Sequence, residues 1–224
     1  MQYLFDTHLH TRQASPCGKV DAKEVAKYYM ESEYDGIVVT DHFGKITFEK
    51  YPETTWEDRV THYLSGYKMI CEEAKGSKLT VLLGIELRFD DHPNDYLVYG
   101  ITEEYLYQNE KFYSMTLPQF YEIAQGHGWM VYQAHPYRDH ITPASPEFLD
   151  GIEVYNAHPR HDSRNHKALA YADKYGLRHL SGSDGHQPPD YCRGGIYLPS
   201  CPKDSMELAM LMRENRVEGL KRTE

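Results

Sequence analysis

The chain has 224 residues, of which 40% are hydrophobic and 26% charged, a globular make-up that excludes a disordered or fibrous protein. That length predicts one domain over residues 1–224, able to bury a core without disulfides. A formal net charge of −10 argues against a nucleic-acid duplex as partner but is compatible with a local basic pocket for one small phosphate. No apolar run is long enough to span a membrane, and MQYLFDTHLH turns polar too early for a secretory signal. Cys17, Cys71, Cys192 and Cys201 show no C-x-x-C pairing, so reduced thiols in a cytoplasmic protein are expected. The 13 histidines are the unusual feature.

Tyr3–Phe5 reads as a first strand, and Asp21–Glu31 as a helix with Val25, Ala26, Tyr29 and Met30 at helical spacing. The β-branched run Gly36–Thr40 is a second strand, bounded by Asp41-His42. An aromatic-rich insertion, Phe43–Trp56, is a candidate lid, and a helix starts near Thr55 with Val60, Tyr63, Leu64, Tyr67 and Ile70 on one face. Leu79–Leu83 runs into Gly84-Ile-Glu86, and Tyr96–Ile101 is a further strand. Pro118–Gly126 reads as a helix, Trp129–Tyr132 as a strand leading to His135, and Gly151–Tyr155 as a strand ending at Asn156. The helix Arg164–Tyr175 stops at Gly176, and His179–Ser181 leads to Asp184-Gly-His186. A short strand from Gly195 and a helix over Lys203–Glu214 close the chain. The alternation predicts an α/β fold with a mostly parallel sheet, either a compact distorted barrel or a doubly wound open sheet.

The predicted strands end in potential metal ligands: His8 and His10, Asp41-His42, Glu86, His135, Asn156, and Asp184 with His186. The C-terminal edge of a parallel α/β sheet is where such folds place active sites. The two imidazoles of His8-x-His10 share one face of an extended segment, so both can reach one ion. A satisfied structural pair is the bland alternative for H-x-H alone, but convergence of six segments outweighs it. Imidazole mixed with carboxylate suits zinc, manganese or iron. Five imidazoles plus Glu86 and Asp184 exceed the ligands of one tetrahedral ion, so two to three divalent ions are expected.

The series D-T-H-L-H-T (6–11), V-V-T-D-H (38–42), G-I-E (84–86), A-H-P (134–136), G-I-E-V-Y-N (151–156) and G-S-D-G-H (182–186) resembles the PHP family, named for polymerase and histidinol phosphatase. The resemblance implies a distorted (β/α)7 TIM-like barrel with a metal site at its C-terminal mouth. It further implies that His8, His10, Glu86 and Asp184 hold one ion, that Glu86 bridges to a second also bound by His135, and that His42 and His186 belong to a third. Cys17 or Asp21 is a further ligand candidate at that third ion, and Asn156 stands where relatives place another ligand; a neutral buried thiol is the bland reading of Cys17. The activity implied is a metal-dependent phosphoesterase acting on a small phosphomonoester or nucleotide through a hydroxide shared between metals, with Asp41, His42, Asp184 and His186 as catalytic residues.

Arg138 and Arg160, each just past a strand end, are candidates to bind the phosphate, since a guanidinium fork matches two phosphate oxygens. His158 and His161 are candidates to line the mouth, and His62, His127, His140, His166 and His179 read as structural or exposed. The alternative function is a metal-binding PHP module with a structural or partner-binding role; histidinol-phosphatase and protein-tyrosine-phosphatase activities rank lower. An amidohydrolase-type barrel also begins with H-x-H, but Glu86 at the bridging position argues against it. The oligomeric state is left open.

Overall fold

The computed structural model describes residues 2–223. β1 (Tyr3–Leu9) leads to α1 (Ala22–Met30), which is capped by the Asp21 carboxylate accepting from the Lys23 amide and buries Val25, Ala26 and Tyr29. β2 (Gly36–Val39) is followed by β3 (His42–Phe43), the single turn α2 (Lys45–Phe48) and the long α3 (Trp56–Glu73), capped by Thr55. β4 (Thr80–Arg88) and β5 (Asp95–Tyr99) precede α4 (Glu103–Gln108) and α5 (Leu117–His127). Then come β6 (Met130–Gln133), β7 (Gly151–Asn156), α6 (Asn165–Tyr175) and β8 (Arg178–Gly182). β9 (Gly194–Leu198), α7 (Ser205–Arg213) and β10 (Gly219–Arg222) complete the chain. Gly176, at φ 65°, ends α6 as the sequence predicts, because the left-handed region is open to glycine without strain.

The strands form one sheet in the order β10-β9-β1-β2-β4-β5-β6-β7-β8, with β3 alongside β4. The stretch from β1 to β8 curls into a nearly closed barrel. Just beyond β8, Gly185 bridges to Leu9 and accepts a hydrogen bond from the His10 amide at 2.9 Å; within it, the Ser181 carbonyl accepts from Thr7 Oγ1 at 2.8 Å. Gly182 permits this closure, since a Cβ there would stand 2.5 Å from the Cβ of His8.

The mostly parallel sheet expected from the sequence is corrected to a mixed one. β1, β2 and β4 are parallel, as are β6, β7 and β8, but β5 runs against both of its neighbours, and β9 runs against β1 and β10. The link 89–94 is too short for a parallel crossover, which needs about a dozen residues, so β4 and β5 form a hairpin. The reversal turns the first residue of β5, Asp95, toward the mouth.

The lid expected over Phe43–Trp56 is instead an anchored wall. Phe43, Phe48 and Tyr51 are buried, Phe43 stacks on Phe112 with centroids 4.6 Å apart, and Phe48 lies 4.9 Å from Trp56. Burying large aromatic rings stabilises by kilocalories each, so opening this segment would expose core. No helix among the described residues is long and apolar enough to cross a membrane.

Candidate metal centre

The C-terminal end of β1, a strand of the barrel wall, and the residue after it present His8 and His10 side by side, with their Nε2 atoms 3.2 Å apart. Around them stand two carboxylates from opposite sides of the barrel. Glu86 on β4 approaches His8 Nε2 at 3.2 Å and His10 Nε2 at 3.4 Å; Asp184, after β8, approaches them at 3.5 and 3.3 Å. Glu86 also lies 3.1 Å from His135 Nε2 and 2.6 Å from His42 Nδ1. Five sets of donor atoms fall within 4.8 Å of one another: His8/His10/Asp184, His8/Glu86/His135, His42/Glu86/Asp95, His10/Cys17/His42/His186, and His158/His186/Asp190. Every residue that the sequence analysis named as a ligand to the first two ions, and both histidines of the third, lie in this one cluster.

A second layer fixes which ring nitrogens face inward. His8 Nδ1 is 3.0 Å from Glu153 Oε1, which can only accept, so the Nδ1 proton points away from the cluster. Ser15 donates its one hydroxyl proton to Asp41 at 2.6 Å and so accepts from His10 Nδ1 at 3.1 Å and from the His42 amide at 2.9 Å. Both Nε2 atoms are thereby left facing each other and the carboxylates. Glu86 Oε2 is buried without a hydrogen bond, because its 2.6 Å contact with His42 has the distance but not the direction of one. A carboxylate oxygen and imidazole nitrogens converging within about 3.5 Å suit a cation, and second-layer carboxylate–imidazole contacts of this kind orient metal-ligating histidines.

The electrostatics agree. Burial works to lower the pKa of His8, but the charges of Asp184, Glu153 and Glu86 outweigh it and hold the imidazole well above its usual value. His10 is pushed well below its usual value by burial and by His186 and His42. Burial works to raise Glu86 and Asp184, yet His42 and His8 in the first case and Arg138 and His8 in the second hold them well below the carboxylate range. In the metal-free chain a proton on His8 thus takes the place of positive charge between two acids. Divalent ions must displace it, which makes their affinity pH-dependent.

Cys17 sits with His10, His42 and His186 and is half-buried. Burial raises its pKa, but His186 and His42 prevail and bring it down to about 6, which favours the thiolate form that a soft metal ligand needs. Asp21 is not at the mouth. It caps α1 and accepts from Arg12 at 3.0 Å and Gln13 at 2.7 Å, so it is no candidate ligand. Asn156 is also corrected: its amide donates to Glu153 at 2.9 Å and Asp184 at 3.2 Å and accepts from Arg138 at 2.8 Å and Ser163 at 3.1 Å, which leaves it a bracket between other groups. Asp41, expected to be catalytic, stands behind the cluster. The Thr11 amide and hydroxyl, each at 2.7 Å, and Ser15 at 2.6 Å occupy both its oxygens, so it positions the 10–15 loop.

Arg138 reaches the mouth and donates to Asp184 at 2.6 Å, while its buried Nε has no partner. Arg160 donates to Asp190 at 2.6 Å and to His158 at 3.0 Å. Burial and nearby positive charge lower His158 to a pKa of about 3 despite the opposing pull of Asp184, which leaves it unprotonated at neutral pH and unfit as a proton donor. Both arginines, His158 and His161 line a cavity of about 350 Å³ that opens onto His135, Asp184 and His186. Two cluster residues have left-handed backbones, His135 at φ 27° and Asp184 at φ 51°. Such geometry costs ~1–2 kcal/mol per residue and persists where the surroundings hold it, here the Glu153 carboxylate on the His135 amide and Arg138 on the Asp184 side chain.

Sequence reasoning missed Asp95, Glu153, Ser15 and Asp190. Asp95 stands at the start of a strand, not at an end, and reaches the mouth because β5 is reversed. Glu153 was legible as a lone charge in the otherwise apolar Gly151–Tyr155 run, a pattern that marks a partnered buried group.

The fold is an α/β barrel whose mouth gathers imidazoles, carboxylates and a thiol into overlapping donor sets that could hold metal ions. The chain belongs to the PHP domain family, whose sequence model matches residues 6–221. No curated protein matches it. Among solved structures it is similar to a two-domain protein containing a predicted PHP-like metal-dependent phosphoesterase from Bacteroides vulgatus ATCC 8482. The two are 16% identical with a TM-score of 0.68, and the match covers 100% of this chain and 65% of that one. The chain thus spans less than two thirds of that protein's length. It is also similar to PsfC from Pseudomonas syringae PB-5123, at 17% identity and a TM-score of 0.62, with 93% of this chain and 87% of that one covered. At these identities the likeness establishes the fold.

Proposed function

We propose that the protein is a metal-dependent phosphoesterase that hydrolyses a small phosphomonoester or nucleotide, using two to three divalent ions such as zinc, manganese or iron. The observation that carries this reading is the facing pair of His8 and His10 Nε2 atoms between Glu86 and Asp184, next to a cavity lined by Arg138 and Arg160. His8, His10, Glu86, His135 and Asp184 would hold two ions, and His42, Cys17 and His186 a third. When bound, such ions supply Lewis-acid charge for phosphate oxygens and lower the pKa of water.

The chain's own residues do the rest. Arg138, whose buried Nε has no partner, and Arg160, whose fork rests on Asp190 and His158, would donate to the non-bridging oxygens and fix the phosphate over the cluster. Glu153 and Ser15 hold the imidazoles of His8 and His10 in one tautomer, so the ligand geometry needs no rearrangement during turnover. Asn156 ties Arg138, Asp184 and Glu153 into a single unit. The test is hydrolysis of p-nitrophenyl phosphate by chelator-treated protein reloaded with manganese or zinc. Turnover that appears on loading and disappears with chelator is the expected result. Bound metal without turnover on this or natural phosphoesters would overturn the reading in favour of a structural PHP module.

A further inference from the structure

A second cavity, of about 450 Å³, adjoins the first and has a different character. The two share Cys17, His42, Arg88 and Pro93, so the metal-ligand cluster lies on their common boundary. The smaller cavity is walled by histidines, acids and the two arginines. The larger has Pro16, Phe43, Ile46, Phe89 and Pro93 on its wall, together with the exposed polar side chains of Lys45, Lys50, Asp90 and His92. Arg88 does not make it a phosphate pocket, because its guanidinium is held by both oxygens of Asp95 at 2.7 and 2.6 Å. Ile46 is 56% exposed although it is a large aliphatic residue, and the exposed face lies on this cavity. Phe43 and Phe48 anchor the segment behind it in the core, so the wall is preformed.

We propose that this cavity receives the leaving group of the substrate, and that the substrates are phosphomonoesters of alcohols with a bulky apolar or aromatic body. The proposal rests on the phosphoesterase reading and adds a division of labour: phosphate on the arginine side of the cluster, organic group on the Ile46 side. The chemistry of the two walls favours this orientation. A phosphate dianion gains from the buried guanidinium donor without a partner, Arg138 Nε, and loses against aliphatic carbon, whereas an apolar group placed among Arg138, Arg160 and Asp184 would strip water from charges without replacing it. Size fits as well. A dry cavity of about 150 Å³ already binds benzene, so about 450 Å³ accommodates a fused two-ring group with room for its entry.

The experiment measures binding of two non-hydrolysable probes, 1-naphthylphosphonate and methylphosphonate, to the manganese-loaded full chain by calorimetry. Wild type and Ile46→Asn are compared; position 46 is exposed, so the fold is not at stake. The expected result is tighter binding of the naphthyl probe by wild type. Ile46→Asn then weakens that probe about tenfold and leaves methylphosphonate within twofold. Equal affinities in wild type, equal losses on both probes, or no binding of either would overturn the proposal. Hydrolysis of 1-naphthyl phosphate is followed on the same samples. The expected binding pattern without hydrolysis would retain the apolar subsite and sink the phosphoesterase reading, which separates the two failures.

Discussion

Asp6 and Asp41 stand one layer behind the mouth, Glu86 and Asp184 stand in it, and all four carboxylates are buried. Burial pushes Asp6 and Asp41 up to about 6, although hydrogen bonds from Ser183 and Tyr29 to the first and from Ser15 and Thr11 to the second pull the other way. The same burial acts on Glu86 and Asp184, yet both are held well below the usual range because histidines, and for Asp184 also Arg138, surround them. Hydroxyls and amides satisfy a carboxylate's geometry; only cations offset the loss of water around its charge. The rear pair therefore holds the backbone in place, and the front pair stores negative charge that positive ions can claim.

The most severe way to break this contrast is to remove charge from the front. Glu86→Gln keeps the shape and should weaken binding of the first two ions by more than about 100-fold while circular dichroism stays native. Normal metal affinity in that variant would show that the front carboxylate is structural, like the rear ones. Asp41→Asn should act the other way round. It turns one of the two oxygens that accept from the Thr11 amide, the Thr11 hydroxyl and Ser15 into a donor and should cost about 1–3 kcal/mol in denaturant melts, with only about a tenfold loss of metal affinity.

The pH dependence sharpens the same comparison. Asp41 has a folded-state pKa raised above its unfolded value, so its contribution to the metal-free protein is fully present below the usual carboxylate range and is lost as pH rises toward about 6. Glu86 and Asp184 are depressed, so theirs is present above the usual carboxylate pKa and lost as pH falls through their low folded-state values. The stability difference between wild type and Asp41→Asn, followed by urea melts from pH 4 to 7, should therefore shift against wild type as pH rises to about 6. A flat difference would contradict the assignment.

Cys17 tests the cationic side of the mouth. Alkylation by iodoacetamide in metal-free protein should rise with a midpoint near pH 6 rather than near 9, and zinc should suppress it. His62→Ala should have the smallest effect. His62 stacks on Tyr51 at 4.0 Å and bonds Glu53 and the Gln13 carbonyl, so its loss should cost about 1 kcal/mol in melts and leave metal content unchanged.

The cluster of candidate donors was legible because histidines and acids interrupt apolar runs at the ends of β1, β2, β4, β6 and β8, where the strands converge on the mouth. What stayed hidden depended on direction and on partners. No local pattern announced that the 89–94 link would reverse β5 and bring in Asp95. Nothing in Thr40-Asp41-His42 said that Thr11 and Ser15 would turn Asp41 away, or that Asp21, three residues after Gly18, would be needed as a helix cap. The aromatic load of Phe43–Trp56 was visible, but its packing against Phe112 and Tyr113, far along the chain, was not. Likewise β10 lacks the alternating apolar pattern of a strand and exists because β9 offers it an edge.

The central claim is that the mouth is a polynuclear metal centre organised by Glu86 and Asp184. Elemental analysis of chelator-treated protein, reloaded with manganese or zinc and freed of unbound ions, addresses it most directly. The account predicts two to three ions per chain in wild type and fewer than one in a Glu86→Gln, Asp184→Asn double variant that remains folded. Wild type without stoichiometric metal after loading, or a double variant that retains the full complement, would contradict it.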